Sequence, residues 1–127
     1  MKFQPDASSK VFINGYGPDW VVVSGEKHVG SAMVCSETGL QAWNCQDASQ
    51  LSEADFERLA QMNVEIVLYG SGERLVFPPH SLIKPLIKKG IGLETMDTAA
   101  ACRTFNVLAG EGRKVAAALL FPAAPEL

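Results

Sequence analysis

Asp97 and Thr98 stand where an apolar run ending at Met96 meets a string of helix formers, with Arg103 one turn further along. An Asp–Thr pair at such a junction caps the first turn of a helix. That turn carries unpaired N–H groups and a partial positive charge, which suit a carboxylate or a phosphate. Arg103 would add a guanidinium fork for the same anion. A second polar loop, Gly70-Ser71-Gly72, follows another apolar run ending at Tyr69. If the two runs are parallel strands, both loops emerge at the edge where open α/β sheets bind ligands. Gly70, Ser71, Gly72, Asp97, Thr98 and Arg103 are therefore the candidate ligand-binding residues. The competing reading makes Asp97 and Thr98 plain caps, the glycines a tight turn, and Arg103 the partner of an acid such as Glu94 or Glu111.

No catalytic constellation surrounds these positions, and neither a cofactor nor a metal is expected. Gly70-Ser71-Gly72 lacks the third glycine of a dinucleotide fingerprint and runs into Val76-Phe77-Pro78-Pro79 rather than into a helix. Tyr69 and Glu73 occupy the places where a nucleophile elbow needs glycine. Cys102 neighbours Arg103, but adjacent residues on a helix do not face each other. Cys102 instead falls near Phe105 and Ala109 at helical spacing, as a buried and inert thiol. His28 and His80 are far apart and lack metal-ligand spacing. Thr104 and Asn106 are indifferent helix formers in mid-helix, and a buried Asn106 needs partners. They are expected to tie the helix to the Gly15-Tyr16-Gly17 turn or to a neighbouring strand; otherwise they line a pocket or a contact surface. Trp20 reads as core, whereas Trp43 borders the polar stretch 44–50 and fits either core or surface.

The elements that must position these residues fall into two halves. Lys10 to Ile13, Trp20 to Val23 and Val29 to Cys35 are β-branched or apolar runs joined by Gly-containing turns, the pattern of an antiparallel meander. Gly39 to Trp43 is a further short strand. Ser52-Glu53-Ala54-Asp55 then opens a short helix with Phe56, Leu59 and Ala60 on its apolar face. Val64 to Tyr69 is a strand. A second helix carries Leu82, Ile83, Leu86 and Ile87 on one stripe, with Pro85 either in its first turn or kinking it, and Gly90 as its stop. Ile91 to Met96 is the next strand. Asp97 caps a helix that buries Ala101, Phe105 and Leu108 and ends at Gly110, and Val115 to Phe121 closes the fold. Strands first, then helices alternating with strands, predict an α/β fold: a single compact domain with a mixed central sheet.

The 127 residues suit one domain, 1–127, with its core over about 11–121 and a loose tail at 122–127. A composition of 47% apolar and 20% charged residues is that of an ordinary globular protein. The net charge of −3 argues against a nucleic-acid surface. Lys84, Lys88 and Lys89 are better placed to complement the end of a helix. No secretory signal is visible at Met1 to Asp6, and no apolar run approaches the ~20 residues of a membrane span. Three scattered cysteines fit reduced thiols in a cytoplasmic protein.

Taken in order, Ile13-Asn14-Gly15-Tyr16-Gly17, Trp43, Gly70-Ser71-Gly72, Met96-Asp97-Thr98, the run Ala101 to Leu108, Glu111-Gly112-Arg113 and Val115 to Leu119 resemble the Mth-like domain family. The resemblance spans roughly Phe12 to Phe121. Ser71 and Phe105 depart from the threonine and tyrosine that the family often shows there. Its relatives include the adipogenesis-associated Mth-like domain-containing protein and a mitochondrial respiratory complex I assembly factor. The resemblance implies a three-layer α/β fold without an established cofactor, and work by protein–protein contact. The expected function is thus a non-enzymatic, cytoplasmic interaction module, with a multi-subunit complex or a second copy as partner. A small-molecule or anion-binding protein or enzyme, using 70–72 and 97–103, is the alternative.

Overall fold

The computed structural model describes residues 11–122, so the expected tail lies, beyond Pro122, outside the described residues. Strands β1 (Ile13–Tyr16), β2 (Trp20–Val23) and β3 (Glu26–Val29) form an antiparallel three-stranded sheet. The larger sheet holds β4 (Ala32–Cys35), β5 (Gly39–Ala42), β6 (Ile66–Gly70), β7 (Gly92–Met96) and β8 (Val115–Leu119) in the order β5-β4-β8-β6-β7. β4 pairs antiparallel with β5 and β8, while β6 runs parallel to β7 and β8. The sheet is mixed, as the sequence predicts.

Period-2 alternation sends side chains to opposite faces of this sheet. Val34, Leu68, Ala117 and Leu119 pack with Phe105 of helix α3 (Thr98–Gly110) and with Val21 and Val23 of the small sheet. Met33, Val67, Tyr69 and Ala118 pack on the other side with Phe56 and Leu59 of α1 (Glu53–Ala60) and with Leu86 of α2 (Lys84–Lys88). Two apolar clusters on opposite faces of one sheet make three layers.

Two local expectations are corrected. The run from Val29 to Cys35 is not one strand, because the chain changes sheets between Val29 and Ala32. Ser31 sits at that break, and its hydroxyl donates to the Phe121 carbonyl (3.1 Å) and accepts the Phe121 N–H (2.9 Å). The second helix is only five residues long, with Pro85 in its first turn and Leu82 in a preceding 3-10 turn. Its stripe therefore rotates, and Ile87 is 55% exposed. The expected end of α3 is borne out, since Gly110 is its last residue. The stop is Gly112 at φ +82°, where Gly112 N–H donates to Ala109 and Arg113 N–H to Leu108.

Trp43 proves to be core. It is buried, and its indole N–H donates to Asp55 Oδ1 (3.0 Å), whose other oxygen accepts the Ser52 N–H at the start of α1 (3.0 Å). One carboxylate thereby joins the end of β5 to the first turn of α1.

Candidate functional site

Parallel pairing brings the two predicted loops together: Gly70 at the end of β6 is in register with Met96 at the end of β7. Thr98 is the hub. Its hydroxyl accepts the Gly72 N–H (2.8 Å) and donates to the Leu120 carbonyl (2.8 Å), while its own N–H donates to the Gly72 carbonyl (2.9 Å). Ser71 N–H donates to Met96, and the Ser71 hydroxyl accepts the Val76 N–H (3.0 Å) and donates to the Arg74 carbonyl. Asp97 caps α3 by accepting the Ala100 N–H (2.8 Å). The backbone donors of Ser71, Gly72, Thr98 and Ala100, which an anion would need, thus bond within the protein.

A concavity of about 230 Å³ lies over this junction, bounded by Tyr16, Gly72, Glu73, Asp97, Thr98 and Phe121. Its charged side chains are carboxylates. Gly70 and Ser71 are buried beneath it, and Arg103 is absent from its walls. Arg103 is exposed and donates to the Tyr16 phenol oxygen (2.8 Å), so it joins α3 to the end of β1. Tyr16 replaces the expected acidic partner because α3 packs against β1, a contact between residues 87 positions apart.

The hydroxyl of Thr98 makes a direct prediction. Thr98→Val keeps the shape but removes both bonds and strands the Gly72 N–H and Leu120 carbonyl. It is expected to cost about 2 kcal/mol in urea unfolding, whereas Thr98→Ser should recover most of that. Equal losses for both variants would mean that shape, not the hydroxyl, matters.

Cys102 is fully buried, and that burial pushes its thiol up to about 12, against an opposing pull from Arg103. Burial, then the charges of Asp55 and Asp47, push Cys45 up to about 11. Both thiols are therefore protonated at pH 8 and lack the thiolate that reacts. Iodoacetamide at pH 8 should leave both unmodified in the native protein and label both in urea. Labelling of native Cys102 at pH 8 would contradict an inert thiol. Among the described residues, no group of three or more His, Cys, Asp or Glu side chains is placed to share a metal.

One feature is absent from the sequence-based expectations, and another gains its partner only in the fold. Leu75, Val76 and Phe77 are 55%, 46% and 69% exposed, a contiguous apolar loop that follows the buried Ser71. Neighbouring Pro78 and Pro79 were the only cue that the loop does not fold back into the core. The second is the geometry at Asn106. Its carboxamide oxygen accepts the Ile13 N–H, and its N–H donates to the Ile13 carbonyl, both at 2.8 Å. The expected tie to a strand is therefore made to one residue of β1, at both of its backbone groups.

Residues 13–120 match the family described as a protein of unknown function, DUF498/DUF598. The chain belongs to this family. The DUF498/DUF598 chain is 34% identical over 124 residues to NADH dehydrogenase (ubiquinone) 1 alpha subcomplex assembly factor 3 of Xenopus tropicalis. The match takes in 95% of this chain and 67% of the frog protein, so this chain spans about two thirds of that relative. A crystal structure from Bordetella parapertussis superposes with a TM-score of 0.82 at 30% identity, covering 89% of this chain and 96% of that one. A Mth938-like domain of Bordetella pertussis, solved by NMR, superposes at 0.79 with 25% identity over 95% and 92% of the two chains. The likeness to Mth-like domains holds in both sequence and fold.

Proposed function

We propose that this DUF498/DUF598 chain is a non-enzymatic, cytoplasmic protein-interaction module that assists assembly of a respiratory or other multi-subunit complex. The observation that carries the reading is the loop Leu75-Val76-Phe77, three consecutive large apolar side chains held in solvent. Single exposed apolar residues are ordinary, but a contiguous group marks a contact surface. The frog relative, named as an assembly factor for a respiratory enzyme, supports a client of that kind. The concavity above Thr98 offers the alternative of a small-molecule site, but its spent donors and its two carboxylates disfavour an anion.

The test is affinity purification of the tagged chain from its own host at native expression, beside a Phe77→Ser variant. Phe77 is mostly exposed, so the variant should fold with unchanged stability. The expected result is enrichment of subunits from one complex by the wild type and loss of that enrichment in the variant. No enrichment by the wild type would overturn the reading.

A further inference from the structure

Two sheets present four strand edges, and three of them are occupied or guarded. At β1, Asn106 takes both backbone groups of Ile13. β3 carries Glu26 and Lys27, charges of the kind that discourage edge pairing. At β5, Arg58 donates to the Ala42 carbonyl (2.9 Å) and to the Gln41 side chain (2.8 Å). Among the described residues the fourth edge, β7, carries one exposed charge, Glu94, against the adjacent pair on β3, and no side chain is seen bonded to its outward backbone groups.

The direction of the β7 hydrogen bonds shows what this edge offers. Gly92 N–H donates to the Glu65 carbonyl (3.2 Å), and Ser71 N–H donates to the Met96 carbonyl (2.9 Å). With the parallel register, the backbone groups of Gly92, Glu94 and Met96 therefore face β6. Those of Leu93 and Thr95 face outward. Alongside them lies a concavity of about 550 Å³, walled by Phe77, Pro78, His80, Ile83, Leu93, Glu94 and Thr95. The exposed loop thus stands beside the open strand, and together they form a slot with a hydrogen-bonding edge and an apolar wall.

We infer that the β7 edge accepts an added strand: an extended segment of a partner protein, apolar at alternate positions and carrying Lys or Arg across from Glu94. The inference rests on the interaction-module reading and names its surface. Leu93 and Thr95 supply the main-chain bonds of strand addition, and alternate side chains of the guest meet Phe77, Ile83 and Leu93. Glu94 is exposed and is the only charged side chain of β7. It selects the guest's charge and works against a second copy, because two β7 strands paired about Glu94 would set like charges opposite each other. Beside Glu94 the slot's one other titratable side chain is the exposed His80, whereas Lys84 and Lys88 line a different groove with Glu53 and Glu57.

Amide hydrogen exchange, read by NMR, tests the inference with two nine-residue peptides that alternate valine with lysine or with glutamate. The lysine peptide should slow exchange at Leu93 and Thr95 and bind about fivefold tighter than the glutamate peptide, the size of a cross-strand charge pair. Glu94→Lys should reverse that preference. Thr95→Pro removes an outward N–H while sparing the ladder to β6, and should abolish the protection. The inference is overturned if neither peptide protects these amides at millimolar concentration. It also falls if protection maps elsewhere, or if the two amides become protected by self-association without peptide. A Thr95→Pro chain that still co-purifies the client complex would remove the edge inference and leave the proposed function standing. A wild-type chain that co-purifies no complex would remove the function itself.

Discussion

Asn106→Leu should destabilise the fold by about 3 kcal/mol, the combined cost of two lost hydrogen bonds and two stranded backbone groups at Ile13. Ile13 is buried and begins β1, whose outer edge would otherwise present an unpaired N–H and carbonyl to the side of α3. The carboxamide suits this position because it offers one acceptor and one donor side by side, as a neighbouring strand would. Leucine has the bulk but neither group. Asn106→Asp keeps the acceptor and loses the donor, so it should fall between the wild type and Asn106→Leu above pH 6. Urea unfolding followed by tryptophan fluorescence reads all three, and a loss below about 1 kcal/mol for Asn106→Leu would show that the two bonds to Ile13 are not what holds α3 to β1.

The second large effect is expected at Gly70. A Cβ there would lie 2.9 Å from the Thr98 Cα and 3.1 Å from the Ala101 Cβ. The nearest obstacle is backbone, which cannot swing aside as a side chain can. Gly70→Val forces α3 away from β6, breaks the Gly72–Thr98 bonds, and should cost about 3 kcal/mol or more. Gly110→Ala is the matching control. Nothing lies within 4 Å of its added methyl, so it should be neutral or stabilising by up to about 1 kcal/mol. Comparable losses at both glycines would mean that glycine as such, rather than the close approach at Gly70, is the cause.

These two residues also show what was legible in the sequence. Asn106 stood out because it is a poor helix former in mid-helix, and that oddity pointed correctly to a tie with a strand. Its partner could not be read, since Ile13 lies 93 positions away. Arg103 illustrates the same gap: its type suggested an acid or an anion, and the fold supplies the Tyr16 phenol. Gly70-Ser71-Gly72 has the composition of a polar loop, whereas Gly70 is the buried end of β6 where a helix passes closely. Periodicity and caps sufficed for α1 and α3, because those signals are local. They failed between Val29 and Cys35, because alternation reports which face a side chain takes and not which sheet its strand joins. The short α2 failed differently, as Pro85 and the 3-10 turn before it reset the helical phase.

The same logic applies to function. Loop composition placed Asp97, Thr98 and the 70–72 loop at one sheet edge, and they do meet there. Spacing alone could not reveal that their donors serve one another. The open slot beside β7 is equally non-local, since it is built from a loop, a 3-10 turn with its following residue, and an edge strand.

The most direct test of an assembly role is to delete this chain in its own host and quantify intact respiratory complexes against their unassembled subunits. With an assembly role, one complex is expected to fall while its free subunits accumulate, and the wild-type chain should restore it where Phe77→Ser does not. Every complex at its parental level in the deletion strain would contradict that role.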